Sequence, residues 1–330
     1  MKKSLPSLLR IIGVLAIGLL LFTGQWHAAA EKTGGPEKLV KIRFANLAYG
    51  LDSIYHELAT AKGIFAKYGI ELQVINFVKG GPEAAAGIAS GQVDMGSFGT
   101  PILTAISKGI PIKVVASPPD RKIDFVLVAR PEIKRVKDLK GKTVATGALG
   151  GGNHQSLLKI LYANGLTEND VKIVATGGTD AEMILKSGRV DAVQTNGVTV
   201  NKLVKEGTGR ILAKAVDVYG HYQHSYVFAT DALIKSNPEL IRNFLKASRE
   251  EYQYGKTHPA ELVAYARKKF DIDPDLIREY YRDNIKDWDL SFKVDLEGAA
   301  NAVKILQDLG EIDPKVKFDP QTWLDSRFLK

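Results

Sequence analysis

One pattern is written twice in this chain, and it constrains the fold more than any other feature. The stretch GGPEAAAGIASGQVDMGSFG, residues 80–99, returns 97 positions later, without a gap, as GGTDAEMILKSGRVDAVQTNG, residues 177–197. Each copy runs from a glycine pair through a helix-compatible segment to Ser-Gly-x-Val-Asp, then into small and polar residues. What precedes each copy also matches. LVKIRFANL reads as a strand, Asp52 or Ser53 opens a helix whose Ile54, Leu58 and Ala61 share a face, and YGIELQVINFV reads as a second strand. In the second copy GKTVATGALG is the first strand, NHQSLLKILYANG the helix and VKIVATGG the second strand. Alternating strand and helix predicts parallel pairing with right-handed crossovers. The repetition therefore predicts two similar α/β lobes.

Two further strand-like runs, KIDFVLVAR at residues 122–130 and SYVFATDAL at residues 225–233, bracket the second lobe. The second lobe is thus expected as an insertion, residues 125–227, into a first lobe of residues 38–124 and 228–330, with two chain crossings as a hinge. Helical segments follow residue 236, three of them opened by Asn-Pro, Asp-Pro or similar signals. They are expected to clad the first lobe.

The N-terminus has a basic start at Lys2, Lys3 and Arg10, an apolar run over residues 11–22, and Ala28, Ala29 and Ala30 before Glu31. That is the layout of a cleaved export signal covering residues 1–30, with an uncleaved anchor as the alternative, and it implies a periplasmic mature protein. The chain has no cysteine, so disulfides, thiol catalysis and thiolate metal sites are excluded, as is lipid anchoring through a cysteine. Removing three basic residues from the formal charge of +8 leaves +5. The charges are scattered and no block of five like charges occurs, which argues against nucleic acid as a partner.

The segments HELATAKGIFAKYGIELQVINF, ASGQVDMGSFGTP, VKDLKGKTVAT and KSGRVDAVQTNG, in this order, resemble the periplasmic substrate-binding proteins of ABC importers, in the branch serving nitrate, taurine, alkanesulfonates and thiamine-pyrimidine precursors. The resemblance covers about residues 38–328. It implies a two-lobed type II binding-protein fold, each lobe a mostly parallel sheet flanked by helices. It also implies a monomer that hands a small-molecule ligand to a permease and ATPase, with no cofactor and no catalysis.

In open parallel sheets ligands bind beyond the carboxyl ends of the strands, so two facing lobes present two sets of loops to one cleft. In the first lobe these loops hold Tyr49 and Asp52, Gly81, and Ser97, Phe98 and Thr100. In the second they hold Gly151, Asn153 and His154, then Thr195 and Asn196. GALGGGNHQS is the most informative: its glycines admit a ligand to the backbone, and the following helix start offers N–H groups and a positive dipole end. A plain turn with an Asn cap is the bland alternative. Ser97 and Thr100 close a strand, with Thr100 also placed to cap the helix at Pro101, and in the resembling proteins this loop hydrogen-bonds the ligand. Phe98 suits a cleft wall or the core. Asp52 suits a helix cap, but in the cleft it would oppose an anion. Arg121, near the first crossing, is a candidate counter-charge, and His224 with Tyr222 and Tyr226 a candidate polar and aromatic wall. His221 and His224 lack a third ligand for a metal.

No hydrolase, zincin or dinucleotide motif is present, so no enzyme is expected. A thiamine-pyrimidine synthase of related fold needs cysteines that this chain lacks. The expected ligand is a small organic anion, sulfonate, carboxylate or similar, or another polar organic molecule. A sensory ligand-binding module is the other class.

Overall fold

The computed structural model describes residues 38–47, 51, 53–77, 81–119, 123–176 and 181–328. The expected export signal, and the loop residues Tyr49, Asp52 and Arg121, lie outside the described residues. Among those described, no helix is long and apolar enough to cross a membrane.

Among the described residues ten strands form two five-stranded sheets. The first holds β1 (Val40–Leu47), β2 (Ile70–Phe77), β3 (Met95–Gly99), β4 (Ile112–Ala116) and β10 (Ser225–Thr230), in the order β2-β1-β3-β10-β4. The second holds β5 (Val126–Ala129), β6 (Thr143–Thr146), β7 (Lys172–Ala175), β8 (Ala192–Thr195) and β9 (Arg210–Lys214), in the order β7-β6-β8-β5-β9. The two orders are one topology repeated, with β6, β7, β8 and β9 answering β1, β2, β3 and β4. In each sheet the strand contributed by the other half of the chain sits between the third and fourth strands and runs antiparallel to both. The crossing strands are therefore interior members of the sheets, more than a flexible link.

The repeated motif has a structural job. The Asp94 carboxylate accepts the Arg43 N–H at 2.8 Å, its own N–H donates to Arg43 O, and its carbonyl accepts from Thr230 N. Asp191 makes the same three contacts, with Thr143 N at 2.9 Å, Thr143 O and Arg130 N. Gly91 and Gly188, just before, both adopt the left-handed region, at φ 72° and 71°. Each Gly-x-Val-Asp thus ends a helix and pins its third strand to its first.

Helices cover both faces of each sheet. In the first lobe α1 (Ser53–Ala61) lies on one face, and α2 (Gly81–Ala89) and α3 (Pro101–Ser107) on the other. In the second, α4 (Gly152–Ala163) opposes α5 (Ala181–Lys186) and α6 (Gly197–Lys205), and α7 (Val216–Tyr219) leads into the second crossing. After β10 come α8 (Asp231–Ser236), α9 (Pro238–Thr257), α10 (Pro259–Lys269), α11 (Pro274–Ile285), α12 (Leu296–Asp308) and α13 (Pro320–Trp323). Helices α9, α10 and α11 pack into the core around α1. Helices α11 and α12 also reach the second lobe. Tyr280 of α11 abuts Gly197 of α6, where an added Cβ would lie 3.2 Å from the ring. On α12, Ile305 joins the second lobe's core while Ala302 and Leu306 pack with Leu103 and Tyr226 of the first. Residues spaced round α12 reach both lobes, which the local apolar pattern alone does not reveal. His56, 2.7 Å from Glu251 with both side chains nearly inaccessible, ties α1 to α9.

Candidate functional site

The end of β3 and the start of the helix after β6 meet at His224, which lies against Gly99 and Gly152, and the expected site residues are distributed unevenly around that junction. The second-lobe set is the most coherent. After β6 the chain turns through Gly147 to Gly151, and α4 begins at Gly152 with no side-chain cap on its N-cap residue, Gly151. The first-turn N–H groups of such a helix have no intrahelical partner, and Gly151 has no side chain to cap them. Gly150 N–H donates to Nδ1 of His154 at 3.2 Å. A neutral imidazole accepting at Nδ1 carries its proton on Nε2, so His154 is left with one outward donor. Burial lowers the pKa of His154, against a smaller opposing effect of Glu168, and favours that neutral form. Asn153 Oδ1, beside it, is buried and without a hydrogen-bond partner.

His224 stands where the lobes meet. An added Cβ at Gly99 would lie 2.8 Å from its Cε1, and one at Gly152 would lie 3.4 Å away. The two glycines come from opposite lobes, so the imidazole is wedged between the end of β3 and the start of α4. Phe125 of the first crossing meets it edge-on at 5.0 Å, and Tyr222, just before the second, stacks at 6.2 Å. This apolar setting depresses its pKa to about 4, and its Nδ1 has no partner. Burial also pushes the Tyr222 phenol up. No charge is therefore expected on these rings near neutrality.

Other expected residues are placed differently. Phe98 is 4% exposed and packs with Phe77, ring centroids 6.4 Å apart, in the core under α2 and α3. Alternation along β3 puts it on the opposite face from Ser97. Thr100 makes no cap hydrogen bond to α3. Its hydroxyl is buried, donating to Gln155 Oε1 at 2.9 Å and accepting from Tyr222 OH at 3.3 Å. Ser97 is half-buried, and Gly81 opens α2. Thr195 is buried at the end of β8, while Asn196 donates to both carboxylate oxygens of Asp124 at 3.3 Å. His221 faces away toward α12, 2.8 Å from Asp295.

Sequence reasoning missed several residues. Asn46 Nδ2, Thr146 Oγ1 and Gln194 Oε1 are buried without hydrogen-bond partners, like Asn153 and His224. Asn46 and Thr146 hold matching places on β1 and β6, three positions after the residues that receive Asp94 and Asp191. A buried polar atom left unpaired costs roughly 1–3 kcal/mol, so these five atoms, in or beside strand ends, each stand to gain from a polar partner. The repeat register was the available signal. Gln155 and Asp124 carried none. Two surface hollows, about 550 Å³ beside Lys113 and Arg327 and about 950 Å³ between α10 and α11, lie elsewhere, and none of their lining residues has such an atom. Among the described residues no cluster could hold a metal ion.

The family described as NMT1/THI5-like matches residues 53–262. The riboflavin-binding protein RibY of Chloroflexus aurantiacus is 31% identical over 228 residues, 67% of this chain and 62% of that protein. The taurine-binding periplasmic protein of Escherichia coli is 26% identical over 209 residues, 63% and 65% of the two chains. The chain thus spans less than two thirds of either curated relative. Among solved structures, the aliphatic sulphonate-binding protein SsuA of Escherichia coli superposes with a TM-score of 0.70 at 22% identity, covering 88% of this chain and 92% of that one. SsuA of Xanthomonas axonopodis pv. citri, bound to MOPS, gives 0.68 at 17% identity, covering 85% and 96%. The shared architecture is that of the two-lobed periplasmic binding proteins.

Proposed function

The chain belongs to the NMT1/THI5-like family, and on that footing we propose that it is the extracytoplasmic solute-binding component of an ABC importer. It captures a small organic anion between its lobes and delivers it to a permease, the lobes, residues 38–124 with 228–330 and residues 125–227, closing about the two crossings. The observation that carries this reading is the uncapped start of α4 beside Asn153, His154 and His224. Free N–H groups, a positive helix end and the Nε2–H of His154 suit an acidic oxygen. Export with cleavage before Glu31 and action as a monomer belong to the same reading.

A second reading has its own support. The Asp124 carboxylate paired to Asn196, and the rings of Phe125, Tyr222 and His224, favour a flat nitrogenous molecule with N–H donors. The relative named for riboflavin is in keeping with it. A thermal-shift screen on mature protein stripped of carried-over solute separates the two. Sulfonates and carboxylates raising the melting temperature support the anion; flavins or pyrimidines doing so instead support the second reading. A broad solute library that leaves the transition unmoved overturns the solute-binding assignment.

A further inference from the structure

The hydroxyl of Thr100 and the amide of Gln155 are both buried, and they belong to opposite lobes. Their orientation is determined by what lies on either side. Gln155 Nε2 donates to the Gly150 carbonyl at 3.3 Å, so its Oε1 faces Thr100 and accepts from it at 2.9 Å. The Thr100 hydroxyl, having given its only proton, accepts from Tyr222 OH at 3.3 Å. Gly150 in turn donates its N–H to His154. One directional chain thus runs from just before the second crossing through the end of β3 to the glycine loop.

We propose that Gln155, engaged across the cleft by Thr100, is a positioning residue that sets the open–closed balance of the ligand-free protein and aims residues 150–154 at the ligand. The proposal rests on the hinge-closing reading above. Separating the lobes breaks the Thr100–Gln155 bond and exposes both groups to water, which replaces it. A neutral hydrogen bond then contributes a modest net term, enough to bias the equilibrium without locking it. Such a bias acts on every solute alike, because apparent affinity scales with the fraction of protein already competent to bind. It also couples closure to aim, since the same glutamine holds the Gly150 carbonyl.

Small-angle scattering of ligand-free mature protein tests this with parent, Thr100→Val, Thr100→Ser and Gln155→Leu. Valine keeps the shape of threonine and loses the hydroxyl; serine keeps the hydroxyl. The open-to-closed ratio should rise about fivefold in Thr100→Val and Gln155→Leu, the scale of one neutral hydrogen bond, and return to the parent value in Thr100→Ser. Hydrogen exchange at residues 150–153 should quicken in Gln155→Leu. Equal radii of gyration for parent and Thr100→Val overturn the proposal, as does Thr100→Ser behaving like Thr100→Val. If Gln155→Leu does not fold, the Thr100 pair carries the test alone. No solute enters the experiment, so a failed solute screen leaves it intact, and unchanged radii leave solute binding standing.

Discussion

The Asp94 carboxylate accepts the backbone N–H of Arg43 at 2.8 Å and closes on its guanidinium at 2.6 Å. Asp191 repeats the first contact with Thr143, but recruits its arginine, Arg130, from just past the end of the crossing strand β5 at 3.0 Å. The contacts hold strands together away from the cleft. Asp94→Ala and Asp191→Ala should each destabilise the fold by about 1–3 kcal/mol, the range for losing hydrogen bonds to a charged group. Chemical denaturation measures this, and a stability equal to the parent for both would show that the motif does not pin the sheets.

His56 and Glu251 are a buried pair, with side chains 6% and 1% exposed and 2.7 Å between Nδ1 and Oε1. Removing one partner strands the other in an aromatic core. His56→Ala should cost about 3–5 kcal/mol, whereas a double replacement by apolar residues of similar volume should recover much of it. Non-additivity in a double-mutant cycle is the readout; additive losses would mean that the two groups do not act as a pair.

Acid should weaken the fold through His224. Its pKa falls from an ordinary 6.5 to about 4 on folding because burial penalises the imidazolium. The contribution is complete above pH 6.5, where both states are neutral. It is lost as pH falls toward 4, where the unfolded chain takes up a proton that the folded one refuses. The total is on the order of 3 kcal/mol. His154, lowered for the same reason, adds in the same direction. Melting curves between pH 7 and 4 should show a shallower decline in His224→Gln than in the parent, and parallel curves would count against this origin.

At the proposed site, His154→Ala should weaken solute binding by about 1–3 kcal/mol, and Gly151→Asp should abolish it by placing a carboxylate at the start of α4. Titration calorimetry with the solute found by screening measures both. Parent-like binding by the two variants would move the site away from this helix.

Gly99→Ala tests the junction of the lobes. Its Cβ would come within 2.8 Å of His224 Cε1, so the ring must shift. A loss of about 1–3 kcal/mol in stability is expected from overpacking, with a second loss in affinity if closure needs the ring where it stands. Thermal melts paired with calorimetry distinguish these effects.

The duplicated pattern, residues 80–99 and 177–197, was enough to establish two like lobes and their element order. Such information is local: a helix or strand must bury one face, and the period of apolar residues records which. The glycine loop was legible as a turn for the same reason, because three successive glycines end a strand pattern and precede a helix start. What each side chain meets was not legible. Phe98 turned to the core, and Thr100 reached Gln155 and α12 spanned both lobes only because segments 55 and about 200 residues apart were brought together. Those encounters follow from packing the two sheets and the C-terminal helices against one another. A hydroxyl's partner is chosen by which acceptor the packed fold leaves within reach, and no spacing along the chain encodes that choice.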